Sequence, residues 1–238
     1  MAVFQDRVVV ITGGTGALGG AVTRLFVAEG ARVAVPCRRV EDAQALREEL
    51  GDRADVLLAE RVDVTNGAEL TRFIDGAVEK LGRLDNLVNV IGGFAGGRPL
   101  YETDETTWDH MMALNLRSVY LACHAAVPHL LRTGRGAVVN VSSRAAVDPA
   151  PSFSAYAVSK AGVVTLTSVL ALELKHRGIT VNAVLPGTID TPNNRAGARP
   201  EEIARWTKPE EIARVIRWLC SEEAAIISGA AIPVYGQS

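Results

Sequence analysis

The chain has 238 residues, 48% of them hydrophobic and 22% charged, a composition that supports a sizeable buried core. The formal net charge of -2 provides no basic field for nucleic acid or for an anionic membrane surface. No segment approaches the roughly 18–20 consecutive apolar residues that span a bilayer, and the first apolar run ends in glycines, unlike a signal peptide. We therefore expect a cytoplasmic protein whose partners are neither nucleic acids nor membranes.

Short β-branched runs alternate with amphipathic segments along the whole chain. The predicted strands are Val8–Thr12, Arg32–Pro36, Val56–Val62, Asn86–Val90, Ala137–Val141, Thr180–Leu185 and Ala231–Val234. The predicted helices lie near Leu18–Glu29, Val40–Leu50, Ala68–Leu81, Thr107–Thr133, Ala155–His176 and Pro209–Ser221. Most strands are continuous apolar runs, as expected for parallel strands covered on both faces. The alternation predicts an α/β fold: one Rossmann-type domain over residues 1–238, a doubly wound parallel sheet of about seven strands flanked by helices.

The cysteines and histidines form no pattern that is typical of a metal site or a disulfide framework. The cysteines are far apart and lack CxxC spacing, and the histidines make no HExxH sequence. We predict buried, reduced thiols and no metal. The residues concerned are Cys37, Cys123, Cys220, His110, His124, His129 and His176.

The first predicted strand runs directly into the glycine-rich segment TGGTGALG. Glycines let the backbone turn tightly and approach a pyrophosphate, which the positive end of the next helix also attracts. The motif follows a strand and opens a βαβ unit, which favours dinucleotide binding over a purely structural turn. The candidate residues are Gly13, Thr15, Gly16, Ala17, Leu18 and Gly19.

The second predicted strand ends beside Cys37, Arg38 and Arg39. An acidic residue at this point would bond the ribose 2′-hydroxyl of NAD. Two guanidinium groups instead suit a 2′-phosphate, which they can bind in bidentate fashion. The pattern favours NADP(H), with NAD(H) possible; the alternative is that both arginines form a solvated helix start.

Tyr156 and Lys160 lie four residues apart in YAVSK, within a segment of helical periodicity, so their side chains share one helix face. An adjacent ammonium lowers the pKa of a phenol and makes it a better acid–base group. A solvated Tyr/Lys pair is the alternative. Two further candidates are Ser143, at the end of the strand GAVVNV, and Asn115, which is unfavourable inside a helix and can distort it locally.

The motifs, taken in order, resemble the classical short-chain dehydrogenase/reductase family over essentially the whole chain. The matching pieces are TGGTGALG, DVT at Asp63–Thr65, LVNVIG at Leu87–Gly92, MALNL, VVNVSS, YAVSK, VLPGTIDTP and SGAAIPVYG. The resemblance implies an NADP(H)-dependent oxidoreductase that transfers hydride between the nicotinamide and a carbonyl or alcohol substrate.

The same resemblance implies roles for individual residues. Tyr156 would be the catalytic acid/base, Lys160 would bind the nicotinamide ribose and lower the tyrosine pKa, Ser143 would polarise the reacting group, and Asn115 would support a proton-relay water. Further cofactor contacts would come from Asp63, Val64, Asn89, Val90, Ile91, Pro186, Gly187, Ile189 and Thr191.

Three features depart from the usual family pattern. The usual NNAG reads NVIG here, which places larger side chains near the adenine ribose, and Ala17 stands where many relatives have glycine. The candidate substrate lid, about Pro192 to Lys208, is short. In the C-terminal half, LPGTIDTPNNR and ARWTKPEEIA resemble dihydropteridine reductase, which reduces a quinonoid pterin without needing the serine.

The substrate remains open at this stage. Phe94 and Trp206 are candidates to line its pocket, and Arg144 to meet an acidic group, although a surface salt bridge is the simpler expectation for Arg144. Pterin or other C=N reduction, and a catalytically silent dinucleotide-binding regulator, are the alternative functions. The apolar helices around Asn115 and Tyr156 leave surface to bury between subunits. The family resemblance implies a homotetramer built on these helices, with a homodimer as the fallback.

Overall fold

The computed structural model describes residues 3–237, which contain a sheet of seven parallel strands flanked by helices, as predicted. The strands are β1 (Val8–Thr12), β2 (Arg32–Cys37), β3 (Leu57–Arg61), β4 (Asn86–Asn89), β5 (Gly136–Val141), β6 (Ile179–Pro186) and β7 (Ala231–Val234). Their order across the sheet is β3-β2-β1-β4-β5-β6-β7. The winding direction reverses between β1 and β4, and such a reversal opens a crevice at the carboxyl ends of the strands.

The helices are α1 (Ala17–Ala28), α2 (Val40–Leu50), α3 (Gly67–Leu81), α4 (Glu105–Met111), α5 (Ser118–Thr133), α6 (Ser154–Glu173), α7 (Pro192–Arg195), α8 (Pro200–Ile203) and α9 (Pro209–Leu219). The short helices α7 and α8 lie within the predicted lid segment. Strand ends differ from the sequence prediction by at most one residue and helix ends by up to three, because hydrophobic periodicity fades where an element leaves the core.

Side chains of successive strand residues enter two separate cores. Val9 and Ile11 belong to the core under α1 and α9, whereas Val8 and Val10 belong to the core under α3, α5 and α6. This alternation follows from the two-residue period of a strand. It explains why the central strands are largely apolar: both of their faces are buried.

The prediction of one continuous helix over Thr107–Thr133 was wrong. The segment Met112–Arg117 is π-helical and separates α4 from α5. Asn115 lies in this segment, fully buried, with its carboxamide bonded to groups outside the helix. The local distortion expected from an asparagine at this position is therefore confirmed. A wider turn is a common feature of functional sites in helices.

One helix, α6, is by length and composition apolar enough to cross a membrane. It packs against β6 and against the π-helical segment, and its polar residues Ser159, Lys160 and Thr167 are buried. This is the packing of a core helix. The three cysteines are buried and free, as predicted.

Candidate active site

The glycine loop between β1 and α1 is built so that only glycine fits at two positions. A Cβ on Gly13, whose φ is +70°, would lie 2.9 Å from the backbone nitrogen of Ile91. A Cβ on Gly19 would lie 1.9 Å from the carbonyl oxygen of Gly13. The loop therefore packs directly on the end of β4 and on the first turn of α1. Gly16 is the N-cap of α1 and offers no side-chain hydrogen bond to the helix amides, which leaves them for an anion.

The two arginines after β2 differ in whether their guanidinium groups are already bound in a salt bridge. Arg39 donates from Nε to Asp42 Oδ2 at 3.0 Å, within a salt bridge on the first turn of α2. Arg38 is exposed and has no hydrogen bond or ion pair to any residue within 3–237. Arg38 is consequently the more available guanidinium for an added phosphate group.

Asp63 and Val64 follow β3 at the same edge of the sheet. The Asp63 carboxylate accepts hydrogen bonds from the backbone N–H of Thr65 at 2.9 Å and from its hydroxyl at 2.7 Å. These two bonds lower the pKa of Asp63. Val64 is buried. The carboxylate is thereby held at the surface of the crevice as a fixed acceptor.

Asn89 has its side chain inside the sheet. It accepts a hydrogen bond from the Thr12 hydroxyl at 3.1 Å and donates to Asn140 Oδ1 at 2.9 Å. Asn140 in turn donates to the Thr167 hydroxyl at 2.9 Å. The side chain of Asn89 thus ties β1, β4, β5 and α6 together, and Val90 and Ile91 follow it in the loop after β4.

Tyr156, on the first turn of α6, meets Ser143, which follows β5. Burial raises the pKa of the Tyr156 phenol above its ordinary value of 10.0, and hydrogen bonding with Ser143 opposes this rise. The pKa of Tyr156 is therefore raised, whereas the Tyr–Lys spacing in the sequence predicts that it is lowered. The reason is that the buried phenol loses solvation of its charged form, while the Lys160 ammonium bonds elsewhere.

Lys160 is 4% exposed and donates from Nζ to the backbone oxygen of Val141 at 3.0 Å. Burial lowers its pKa from 10.5 to about 8. A Cβ added to Gly92 would lie 2.9 Å from this Nζ and 3.0 Å from Asn115 Oδ1. Gly92 is therefore packed so closely on the ammonium and on the Asn115 carboxamide that a side chain at this position would collide with them.

The lowered pKa of Lys160 predicts a pH-dependent stability. From about pH 8 to 10.5 the unfolded chain still binds the lysine proton and the folded chain does not, so the free energy of unfolding rises with pH in that window. The rise contributed by this group is on the order of 3 kcal/mol. Urea unfolding of the protein and of Lys160→Met at each pH measures it; the variant should lack the rise, and parallel curves would contradict the assignment.

The carboxamide of Asn115 holds the loop after β4 against α6. It accepts from the Gly93 N–H at 2.8 Å and donates both to the Gly93 oxygen at 3.1 Å and to the Ser159 hydroxyl at 3.0 Å. The Ser159 hydroxyl donates to the backbone oxygen of Tyr156 at 2.7 Å. The π-helical segment is therefore connected to the turn of α6 that carries the phenol.

The segment after β6 forms the other wall of the crevice. Pro186 ends β6, and Gly187 follows it. Ile189 pairs with Thr207, so that the two ends of the lid are joined. The Thr191 hydroxyl accepts from the Asn194 N–H at 3.3 Å and caps α7.

The three substrate candidates are in different places. Phe94 lies beside the phenol, with ring centroids 5.1 Å apart, and also packs edge-on against Phe153. Arg144 forms a salt bridge with Asp148 at 2.8 Å, as the simpler expectation had it, and lies over the Tyr235 ring. Trp206 is half-buried in the lid.

A cavity of about 670 Å³ is remote from these residues. It is lined by the amino ends of β5 and β6, with Arg7, Arg135 and Lys175 at its rim. The residues that carry chemistry lie at the opposite, carboxyl edge of the sheet, so cavity size does not mark the site in this fold. Within residues 3–237, no group of three or more His, Cys, Asp or Glu side chains could hold a metal ion.

Sequence reasoning missed several residues of this site: Gly92, Gly93, Phe153 and Ser159. Gly92 is part of a quoted motif and Ser159 precedes Lys160, but neither position by itself indicates a role. Their importance comes from contacts between segments that are distant in the sequence.

The fold and the site together define a Rossmann-type oxidoreductase acting on CH–OH or C=O groups. The family model for short chain dehydrogenase matches residues 7–202. The chain is 34% identical to the 3-oxoacyl-[acyl-carrier-protein] reductase FabG of Thermotoga maritima, over 98% of each chain. It is 35% identical to cis-4-hydroxycyclohexanecarboxylate dehydrogenase of Sinomonas cyclohexanicum, over 98% of this chain and 96% of the relative. The structure of ElxO with NADP bound superposes with a TM-score of 0.92 at 27% identity, covering 97% of each chain.

The chain therefore belongs to the short-chain dehydrogenase family, whose members bind a nicotinamide dinucleotide. The residues present fit such a group. Glycines at 13 and 19 bring the loop backbone close to where α1 begins, and the absence of a side chain at Gly92 keeps the Lys160 ammonium from being covered. When bound, the nicotinamide supplies or accepts the hydride.

Proposed function

We propose that the protein is an NADP(H)-dependent reductase or dehydrogenase of small carbonyl or alcohol compounds, acting through Ser143, Tyr156, Lys160 and Asn115. The observation that carries the proposal is the hydrogen bonding of Tyr156 with Ser143, on the helix α6 that also carries the buried Lys160. A phenol with a hydroxyl partner can exchange a proton with a substrate oxygen, and the serine helps to hold that oxygen.

In the direction of reduction, the Tyr156 hydroxyl donates its proton to the substrate oxygen, and Ser143 hydrogen-bonds the same oxygen. In this proposal the Lys160 ammonium, which lies on the same face of α6, turns from the Val141 oxygen to the phenolate that is left and stabilises it. Asn115 fixes the loop containing Gly93 and, through Ser159, the backbone of Tyr156. Most of the rate enhancement then comes from holding the reacting groups in place.

A spectrophotometric screen of NADPH and NADH oxidation tests this function. The panel contains simple ketones, cyclic ketones, 3-oxoacyl thioesters and a quinonoid dihydropterin. Turnover of at least one carbonyl compound supports the proposal. Turnover of the pterin alone would favour C=N reduction, and tight NADPH binding with no turnover at all would favour a silent regulator.

The preference for NADP(H) rests on Arg38. Because Arg38 has no ion-pair partner and Arg39 is bonded to Asp42, we expect Arg38→Gln to weaken NADPH binding by about 10- to 100-fold, the loss of a charge-assisted phosphate contact. NADH binding should change little. Arg39→Gln is the matched control, with a smaller effect on NADPH. Fluorescence titration of both variants and of the unaltered protein measures the affinities for NADPH and NADH. Equal losses of the two affinities in Arg38→Gln would refute the role of Arg38.

We also propose a homo-oligomer, a tetramer or a dimer, formed through α5 and α6. Large apolar side chains on these helices are exposed in the single chain: Tyr120 on α5 at 49%, and Val158, Val169 and Leu172 on α6 at 45%, 47% and 73%. Burying such a surface favours self-association. Light scattering at micromolar concentration should give a mass that is a multiple of 25.3 kDa; the mass of one chain would contradict the proposal.

A further inference from the structure

A small cavity of about 290 Å³ lies between the loop after β4 and the loop that leads into α6. The two loops are joined by a hydrogen bond from the Gly97 N–H to the Ser152 oxygen, 2.9 Å long. Ser152 has a φ of +67°, in the left-handed region that a residue with a side chain rarely adopts. Such backbone strain persists only where the surrounding contacts enforce it, and it is frequent at ligand sites.

The cavity is one aromatic side chain away from the catalytic phenol. Gly96, in its wall, packs so tightly on Phe153 and Phe94 that a Cβ there would lie 2.8 and 2.9 Å from the two rings. The Phe94 ring in turn lies 5.1 Å from the Tyr156 ring, centroid to centroid, and is 59% exposed. A substrate whose oxygen meets Tyr156 can therefore extend across the exposed edge of Phe94 toward the cavity.

The cavity lining includes one positive side chain, one negative side chain and a neutral hydroxyl group. Arg98 has no hydrogen bond or ion pair to any residue from 3 to 237, although its charge favours the ionised form of Asp104. The Asp104 carboxylate caps α4 by accepting from the Thr107 N–H at 2.7 Å, and its remaining lone pairs are available as acceptors. The Ser154 hydroxyl is buried and has no hydrogen-bond partner among the described residues.

A ligand group that suits these neighbours must both donate and accept hydrogen bonds and must carry no charge. An anion would be repelled by Asp104 and a cation by Arg98, both of which line the cavity. A hydroxyl group donates to the carboxylate and accepts from the guanidinium at once.

We propose that this cavity is a substrate subsite for an uncharged hydroxyl group, so that the preferred substrates are hydroxylated ketones, diols or polyols. The inference rests on the proposed function, because the subsite binds a hydroxyl group at a fixed distance from the substrate carbon whose oxygen exchanges a proton with Tyr156. The flanking rings of Phe94 and Phe153 supply the apolar contact for the carbon skeleton between the two oxygens.

Three matched ketones test the subsite: cyclohexanone, 4-hydroxycyclohexanone and 4-oxocyclohexanecarboxylate, each with NADPH. We expect kcat/KM for the hydroxylated ketone to exceed that for cyclohexanone about 10-fold, the size of one well-made hydrogen bond. The carboxylate should be no better than cyclohexanone. Arg98→Gln should reduce the hydroxyl preference to about 3-fold or less and leave the reaction of cyclohexanone unchanged.

Asp104→Asn removes the negative charge and keeps the helix cap, since asparagine is an equally good N-cap for α4. This variant should accept the carboxylated ketone about 10-fold better than the unaltered protein does. Glu105→Gln is the matched control, because it removes the same charge one residue away, outside the cavity lining. It should leave the relative kcat/KM values of the three ketones unchanged.

Equal rates for cyclohexanone and 4-hydroxycyclohexanone, or a preference for the carboxylate in the unaltered protein, would overturn the subsite while leaving the proposed function intact. If none of the three ketones is reduced, the proposed function is judged by the wider carbonyl panel, and the subsite is decided by saturation-transfer NMR with 1,4-cyclohexanediol. A signal that Asp104→Asn weakens supports the subsite, and no signal overturns it.

Discussion

Tyr156→Phe should lower kcat/KM for any carbonyl substrate by about 1,000-fold, within the range that a positioned acid–base group contributes. The phenylalanine ring keeps the packing against Phe94 but has no proton to donate to the substrate oxygen. The affinity for NADPH should stay within about twofold, because the substitution removes only the hydroxyl. Steady-state kinetics and fluorescence titration on the same preparation measure both quantities.

Ser143→Ala provides the comparison for this variant. It removes the hydrogen bond to Tyr156 and a partner of the substrate oxygen, so a carbonyl reductase should lose about 100-fold in kcat/KM. A rate that survives Ser143→Ala but not Tyr156→Phe indicates a substrate, such as a C=N compound, that does not need the serine. Near-normal turnover by Tyr156→Phe would exclude the proposed role of the phenol.

Gly19→Ala should destabilise the protein by about 3 kcal/mol or more and abolish dinucleotide binding. The added Cβ would lie 1.9 Å from the Gly13 oxygen and 2.8 Å from Gly14 Cα. These are backbone atoms, so the glycine loop must move as a whole, and overpacking of this kind is among the costly classes of substitution. Urea unfolding gives the free energy, and NADPH titration gives the affinity.

Gly16→Ala is the matched control, since it adds the same methyl group three residues earlier. There the φ is -76° and the nearest atom to the new Cβ, the Gly13 oxygen, is 3.5 Å away. We expect its unfolding free energy to remain within about 1 kcal/mol of the original. If Gly19→Ala unfolds at the same urea concentration as Gly16→Ala, the tight contact between α1 and the loop is not as described.

The elements of the central sheet could be predicted closely from the sequence. β1 and β7 have the predicted bounds, because buried parallel strands are short apolar runs bounded by turn residues. The break between α4 and α5 could not be placed in this way: periodicity continues through the π-helical segment, and the distortion depends on the partners of Asn115 in distant segments.

The candidate site likewise contains features that local sequence patterns predict and features that depend on distant segments of the chain. YAVSK and the glycine segment are local patterns, so Tyr156 and Gly19 could be identified from spacing and context. The direction of the Tyr156 pKa, the different situations of Arg38 and Arg39, and the cavity beside Phe94 could not, because each depends on burial or on a partner far away in the chain.

The sequence by itself determined the alternation of strands and helices, the loop for a dinucleotide and the helix face shared by Tyr156 and Lys160, since these depend on residues near one another in the chain. Only the tertiary structure decided which polar groups remain without partners and which are already bonded. The reason is that hydrogen bonding and burial are set by contacts between distant segments, here the loops after β4 and before α6.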